Sequence, residues 1–172
     1  MRAAVLPADA AFRAAVADLW ASGAVRSMAA FPQHGDVDCL RHCLAVAYLS
    51  WCCCRRLGLN ARAAARGGLL HDLFLYDWHT WRPGPGERLH GFSHPAAALA
   101  NARRVTDLTA VETDIILRHM WPLTRKRPDS PEGRVVTAVD KYVSLLETLG
   151  RPVPLRETAW LRRLLAVPGL RP

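Results

Sequence analysis

Apolar residues recur at helical spacing along most of this chain, and runs in which polar and apolar residues alternate are scarce. Residues that favour helix starts punctuate the pattern, namely Asn60, the capping-box pair Thr109 and Glu112, and Ser130 followed by a proline. The spacing predicts helices over about 9–20, 37–57, 61–75, 93–105, 109–120, 130–149 and 155–166. We therefore expect one all-α domain over residues 1–172, a helical bundle of about six to eight helices.

One segment interrupts this pattern. Residues 76–92 carry the sequence Pro-Gly-Pro-Gly at 83–86 and are predicted to be irregular. Their length suggests a functional lid. Two indoles in the segment, Trp78 and Trp81, would either stack on a nucleobase or pack the segment against the bundle.

The composition indicates a globular protein without a membrane span. Hydrophobic residues make up 51% of the 172 residues, which argues against a disordered chain. The longest apolar stretch, residues 43–54, is much shorter than the ~20 residues that cross a bilayer. Asp9, Arg13 and Asp18 interrupt the first apolar segment, so a secretory signal is not expected. The expectation is a cytoplasmic protein with no membrane partner.

The net charge of +8 favours anionic partners. The arginines are spread over every segment, and aromatic residues do not alternate with them in a recognition motif. The arginines are therefore expected to lie mostly on the solvated surface, and direct binding of nucleic acid is not expected. The competing hypothesis, a nucleic-acid binder, would rely on residues 125–127 and Arg134 and predicts salt-dependent binding to any duplex.

Five cysteines lie within residues 39–54. Their odd number and their crowding argue against a disulfide framework. A zinc site from Cys39, His42 and Cys43 would lack a second ligand pair at the usual spacing. We expect buried free thiols.

Five residues with metal-ligand side chains recur once per predicted helix. His42, His71, His94, His119 and Asp140 are separated by 29, 23, 25 and 21 residues, about one helix plus its loop each time. Helical bundles build metal sites in this way, from inward side chains on facing helices.

Each of these residues also has a simpler interpretation. Asp140 lies on an apolar stripe, where a lone carboxylate is costly, so something positive should meet it. An ion pair with an arginine would satisfy Asp140, and His42 would by itself be a hydrogen-bonded core histidine. His119 would by itself be a cation at the C-terminus of a helix.

Taken in order, the set resembles the HD superfamily of metal-dependent phosphohydrolases over about residues 36–148. The His-Asp doublet at residues 71–72, together with its flanking residues, is especially similar: Gly-Leu-Leu-His-Asp-Leu at 68–73. The resemblance implies an HD-type bundle and a four-ligand core: His42, His71, Asp72 and Asp140.

The segments around His94 and His119 are similar to those that supply a second metal in HD-type cyclic-dinucleotide phosphodiesterases and HD-fold di-iron oxygenases. They imply a dinuclear centre bridged by Asp72. The alternatives are a mononuclear site in which His94 and His119 face the phosphate, and a site in which His90 replaces His94. Histidine-rich ligation favours one or two divalent ions of Fe, Mn, Co, Ni or Zn.

The chain departs from the superfamily pattern after the doublet. Phe74 and Leu75 occupy positions where many members have glycine and lysine, so the substrate specificity of those members does not transfer. Residues 74–79 instead resemble a bacterial branch whose substrate the resemblance does not define. His34 and His79 lie outside the pattern and are expected in loops or on the surface.

The resulting hypothesis is hydrolysis of a phosphomonoester or phosphodiester, of a nucleotide or a small phosphorylated metabolite. Asp72 would be the catalytic residue that bridges the metals and orients the nucleophile, and candidate phosphate contacts are His90, Arg118, Lys141 and Arg88. An HD-fold mixed-valence di-iron oxygenase and a non-catalytic metal-binding regulatory module are the alternatives. The oligomeric state is left open.

Overall fold

The computed structural model describes residue 7, residues 9–86 and residues 88–154. Seven α-helices lie within these residues: α1 (Ala10–Ala21), α2 (Gly23–Ser27), α3 (Cys39–Arg56), α4 (Ala61–Leu70), α5 (His90–Val105), α6 (Ala110–Arg118) and α7 (Pro131–Thr148). A 3-10 helix (Met28–Ala30) and two short antiparallel strands, β1 (Pro32–His34) and β2 (Val37–Asp38), connect α2 to α3. The all-α prediction is confirmed. The helix predicted over 155–166 lies outside the described residues.

The centre of the bundle is α3. All its residues except Arg41, Arg55 and Arg56 are buried, and it packs against α4 and α7. The five cysteines are free and buried, as predicted. Among the described helices, none combines the length and the apolarity needed to cross a bilayer.

The contact between α3 and α4 is very close. A Cβ added at Gly68 would lie 3.0 Å from the Cα atom of Ala47, and one added at Gly67 would lie 2.7 Å from the Cδ1 atom of Ile115. The glycine pair therefore lets α4 approach α3 on one side and α6 on the other.

An arginine links four helices inside the bundle. Arg66 is 4% exposed, and its guanidinium donates to Glu112 at 2.8 Å, to Asp18 at 2.6 Å and to the Thr106 hydroxyl at 3.0 Å. These partners offset the cost of burying its charge. It is an exception to the expectation that the arginines cover the surface.

Two helix boundaries differ from the prediction. Helix α4 ends at Leu70 rather than near residue 75, because the chain turns at the doublet, where the N–H of Phe74 donates to the carbonyl of Asp72. Leu75 then adopts a left-handed conformation with φ of 61°. Helix α5 begins at His90, one turn before the predicted start, so Pro95 lies inside it.

Candidate metal centre

The six predicted ligands come from five helices and meet inside the bundle. Helix α3 contains His42 near its start, and α5 and α7 contain one residue each. The other three directly follow the last residues of α4 and α6. All six are at most 5% exposed: His42, His71, Asp72, His94, His119 and Asp140.

One half of the cluster is centred on Asp140. Its Oδ1 atom lies 3.2 Å from Nε2 of His42 and 3.5 Å from Nε2 of His71. One ligand atom from each of these three residues lies within 4.8 Å of the others. The Oδ2 atom of Asp72 completes this half, 3.5 Å from Nε2 of His71.

The other half is centred on the second oxygen of Asp72. Its Oδ1 atom lies 3.2 Å from Nε2 of His94 and 3.4 Å from Nε2 of His119. The two Nε2 atoms are 2.9 Å apart. Two nitrogens bound at ~2.1 Å to one ion are about 3.0 Å apart at a right angle and about 3.4 Å apart at the tetrahedral angle. The spacing therefore suits two ligands of one ion.

Backbone carbonyls orient three of the imidazoles. Each of these rings is hydrogen-bonded through Nδ1 to a carbonyl three or four residues earlier, which makes Nδ1 the donor. The pairs are His71 with Gly68 at 2.8 Å, His94 with His90 at 2.9 Å and His119 with Ile116 at 2.9 Å. In the neutral ring, Nε2 then carries the lone pair that a metal requires.

A buried carboxylate orients the fourth imidazole. Nδ1 of His42 lies 2.8 Å from the Oε2 atom of Glu147, which is 5% exposed. A carboxylate behind a metal-binding histidine fixes its tautomer and makes its free nitrogen more basic.

The donor set fits a transition-metal ion. Nε2 of His71 and Oδ1 of Asp72 are buried and have no hydrogen-bond partner, although both lie at the centre of the cluster. Buried polar atoms without partners are rare and need an explanation. Imidazole nitrogens with two carboxylates are ligands that Fe, Mn, Co, Ni and Zn accept.

The pKa shifts follow from burial and from the close charges. Burial lowers the pKa of His119 to about 4, so this ring is neutral near pH 7. Burial also opposes the charge on His42, but its hydrogen bonds to Asp140 and Glu147 outweigh that effect and raise its pKa.

Both aspartates of the cluster are held in the ionised form. Burial by itself raises the pKa of Asp72, but the close imidazole of His71, together with those of His119 and His94, holds this pKa well below its ordinary value. Imidazoles likewise keep the pKa of Asp140 low against burial. Metal binding requires deprotonated carboxylates, so both aspartates are in the form that a bound cation would need.

Two of the four predicted phosphate contacts adjoin the cluster. Nζ of Lys141 lies 2.8 Å from the Oδ2 atom of Asp140, and the ring of His90 stacks on that of His94 with centroids 4.5 Å apart. The role of both in substrate binding stays a prediction.

The other two predicted contacts are engaged elsewhere. The guanidinium of Arg118 pairs with Asp114 at 2.8 Å and also with Asp129. The guanidinium of Arg88 lies over the ring of Phe92, 5.4 Å from its centroid.

The irregular segment packs its aromatic rings around His90, next to the cluster. The indole of Trp78 stacks on His90 with centroids 5.3 Å apart and lies tilted against His79 at 3.9 Å. Trp81 stacks on Tyr76 at 5.5 Å. Both indoles therefore take part in packing.

Three residues near the cluster were not predicted to belong to it. Gln33 donates through Nε2 to the Oδ2 atom of Asp72 at 2.6 Å, and Glu147 binds His42 as described. His34 was expected outside the site, but its half-buried ring lies edge-on to that of His42, 5.5 Å away. Glu147 could have been found from its position two helical turns after Asp140. No local signal pointed to Gln33.

Comparison with known proteins gives one match. A family model described as HD domain matches residues 39–145, more than half of the chain. No curated protein and no solved structure gives a significant match. The matched span contains all six residues of the cluster. The chain therefore belongs to the HD-domain family.

Proposed function

We propose that the protein is a metal-dependent phosphohydrolase that cleaves a phosphomonoester or phosphodiester. The HD-domain family consists mostly of metal-dependent hydrolases, which supports a general role of this kind. The observation that carries the proposal is the position of Asp72, whose two carboxylate oxygens face different sets of imidazoles at 3.2–3.5 Å.

The ligand assignment follows from the two halves of the cluster. His42, His71 and Asp140 would hold one ion, His94 and His119 a second, and Asp72 would bridge them. Divalent ions at such a site supply Lewis acidity, which promotes ionisation of a water nucleophile and stabilises charge on phosphoryl oxygens.

The charges favour an anionic substrate. Two divalent ions would carry +4, and the carboxylates of Asp72 and Asp140 carry −2, which leaves about +2 for substrate oxygens or hydroxide to balance. A phosphoryl group suits this excess. Lys141 adds a further positive charge beside Asp140, and its side chain is 43% exposed, so it can also contact an incoming anion.

The chain's own residues position the reacting groups and exclude water. The Nδ1–H of His42 donates to the carboxylate of Glu147. This hydrogen bond keeps Nε2 of His42 directed at the centre of the cluster. The burial of all six residues strengthens their electrostatic interaction with substrate.

The irregular segment favours a small substrate. Trp78 already stacks on His90 and lies tilted against His79, so a nucleobase that used either of these contact surfaces would have to displace a histidine ring. A small phosphorylated metabolite needs no such rearrangement, and we propose this substrate class ahead of a nucleotide.

The test is phosphate release from p-nitrophenyl phosphate and bis-p-nitrophenyl phosphate by protein loaded with Mn²⁺ or Fe²⁺, under strictly anaerobic conditions. We expect release without oxygen, and loss of at least about 100-fold in Asp72→Ala. Asp107→Ala, at an exposed aspartate between α5 and α6, is the matched control and should keep full activity.

Two results would contradict the proposal. Oxygen-dependent substrate loss without phosphatase activity would favour the di-iron oxygenase, which uses the same kind of donor set. Full metal content in His71→Ala and Asp72→Ala would show that the cluster does not hold the ion.

A further inference from the structure

Gln33 is the extra residue of a β-bulge beside the metal centre. In the pairing of β1 with β2, Pro32 lies opposite Asp38 and His34 lies opposite Val37, so Gln33 has no opposite residue. Bulges redirect side chains and are frequent next to active sites. Here Gln33 is 5% exposed.

The amide of Gln33 contacts the carboxylate that joins the two halves of the centre. Its Nε2 atom donates to the Oδ2 atom of Asp72 at 2.6 Å. The hydrogen bond fixes the rotation of the carboxylate about its bond to Cβ, so that the other oxygen, Oδ1, faces His94 and His119.

The carbonyl of the same amide is also notable. Oε1 of Gln33 is buried and has no hydrogen-bond partner. Within one amide the oxygen and nitrogen are about 2.3 Å apart, so Oε1 lies within about 5 Å of the Oδ2 atom of Asp72. A buried carbonyl without a donor is unfavourable, and a methionine of similar size would fill the space without this cost. Packing alone therefore does not account for a glutamine here.

We infer that Gln33 is a positioning residue of the metal centre, which holds Asp72 in the orientation that lets each of its oxygens face one half. The inference rests on the proposed function because it requires metal ions at Asp72. Residues that hydrogen-bond a ligating carboxylate affect metal affinity by about 10- to 100-fold when they are mutated.

The experiment is titration of metal-stripped protein with Co²⁺, followed by visible absorption, which reports the coordination geometry. The variants are Gln33→Met, which keeps the size and removes the amide, and Asp36→Asn, a control at the exposed turn of the same hairpin. We expect Gln33→Met to weaken Co²⁺ binding at least about 10-fold and to change the spectrum of the bound ion. Asp36→Asn should match the wild type.

The outcomes separate this inference from the proposed function. Wild-type protein that binds no Co²⁺ overturns both. Wild-type protein that binds Co²⁺ while Gln33→Met shows the same affinity within twofold and the same spectrum overturns the inference alone. Circular dichroism verifies that the variant is folded; if Gln33→Met does not fold, Gln33→Ala is tested by the same criteria.

Discussion

The orientation of each imidazole in the centre depends on what its second ring nitrogen contacts. Three rings use a carbonyl of their own helix, and His42 alone among the candidate ligands uses a carboxylate, that of Glu147. The hydrogen bond at Nδ1 fixes the orientation of each ring, so Nε2 already points at the centre of the cluster. The cluster would therefore be preorganised for an ion.

Replacing Glu147 with glutamine tests this role. Glu147→Gln removes the charge behind His42 and should make Nε2 less basic, so we expect metal affinity to fall by about 10-fold. Isothermal titration calorimetry of metal-stripped protein measures this affinity. Glu132→Gln is the matched control, because Glu132 is also buried on α7 but accepts from the N–H of Asn60, away from the centre. Equal losses in both variants would contradict a specific role for Glu147.

The six residues of the cluster could be selected from the sequence because all have metal-binding side chains and five of them recur once per predicted helix, with Asp72 beside His71. Their role as metal ligands stays a prediction. Gln33 and Glu147 were not predicted, because their hydrogen bonds to Asp72 and His42 form only in the folded chain. Gln33 reaches a carboxylate 39 residues away through a bulge, and Glu147 resembles an ordinary acidic residue in the last turn of a helix.

At the scale of elements, local capping chemistry sets the helix starts. The predicted capping box of Thr109 and Glu112 is present with both of its hydrogen bonds, and Asn60 and Ser130 accept from backbone N–H groups as predicted. The hairpin of β1 and β2 was not predicted, because strands of three and two residues are too short to show alternation.

The cap of α1 makes a pH-dependent contribution to stability. The hydrogen bond from the backbone N–H of Phe12, against the opposing effect of burial and with help from the indole of Trp51, lowers the pKa of Asp9 below its ordinary value of 3.8. A lowered pKa in the folded state means that the stabilisation is present above about pH 4 and is lost as the pH falls through the folded value.

Asp9→Ala should therefore lower the free energy of unfolding by about 1 kcal/mol at pH 7. The difference from the wild type should shrink as the pH is lowered below 3.8. Urea unfolding at a series of pH values measures both effects. Asp9→Asn keeps a capping oxygen that does not titrate and serves as the control. A deficit in Asp9→Ala that stays constant with pH would be evidence against the capping carboxylate.

The contact between α3 and α4 depends on Gly68. A methyl group there would meet the backbone of Ala47, which cannot move aside as a side chain can. We expect Gly68→Ala to lower the free energy of unfolding by about 1–3 kcal/mol. Gly23→Ala, where nothing lies within 4 Å of the added Cβ, should leave stability unchanged or raise it by less than about 1 kcal/mol. If urea unfolding shows no loss of stability in Gly68→Ala, then α3 and α4 can move apart at little cost and the close contact is not required.

At the scale of the whole molecule, five helices place charged and polar groups in the middle of an apolar bundle. Such a cluster is costly to bury unless its charges are compensated. An ion that binds the folded chain and not the unfolded one stabilises it by about 2.7 kcal/mol at a concentration 100 times its Kd.

Metal removal should accordingly destabilise the protein. With chelator in place of a 100-fold excess of Mn²⁺ over its Kd, we expect the free energy of unfolding from urea titration to fall by about 2–3 kcal/mol. Asp72→Ala should show no such difference. A wild type whose stability is unaffected by chelator would indicate that the cluster is a structural network of ion pairs.

The central claim, a dinuclear centre bridged by Asp72, is tested most directly by elemental analysis of freshly purified protein. We predict about two equivalents of transition metal per wild-type chain, about one in His94→Ala and close to none in Asp72→Ala. Wild-type protein without bound metal, or Asp72→Ala with two equivalents, would contradict the account.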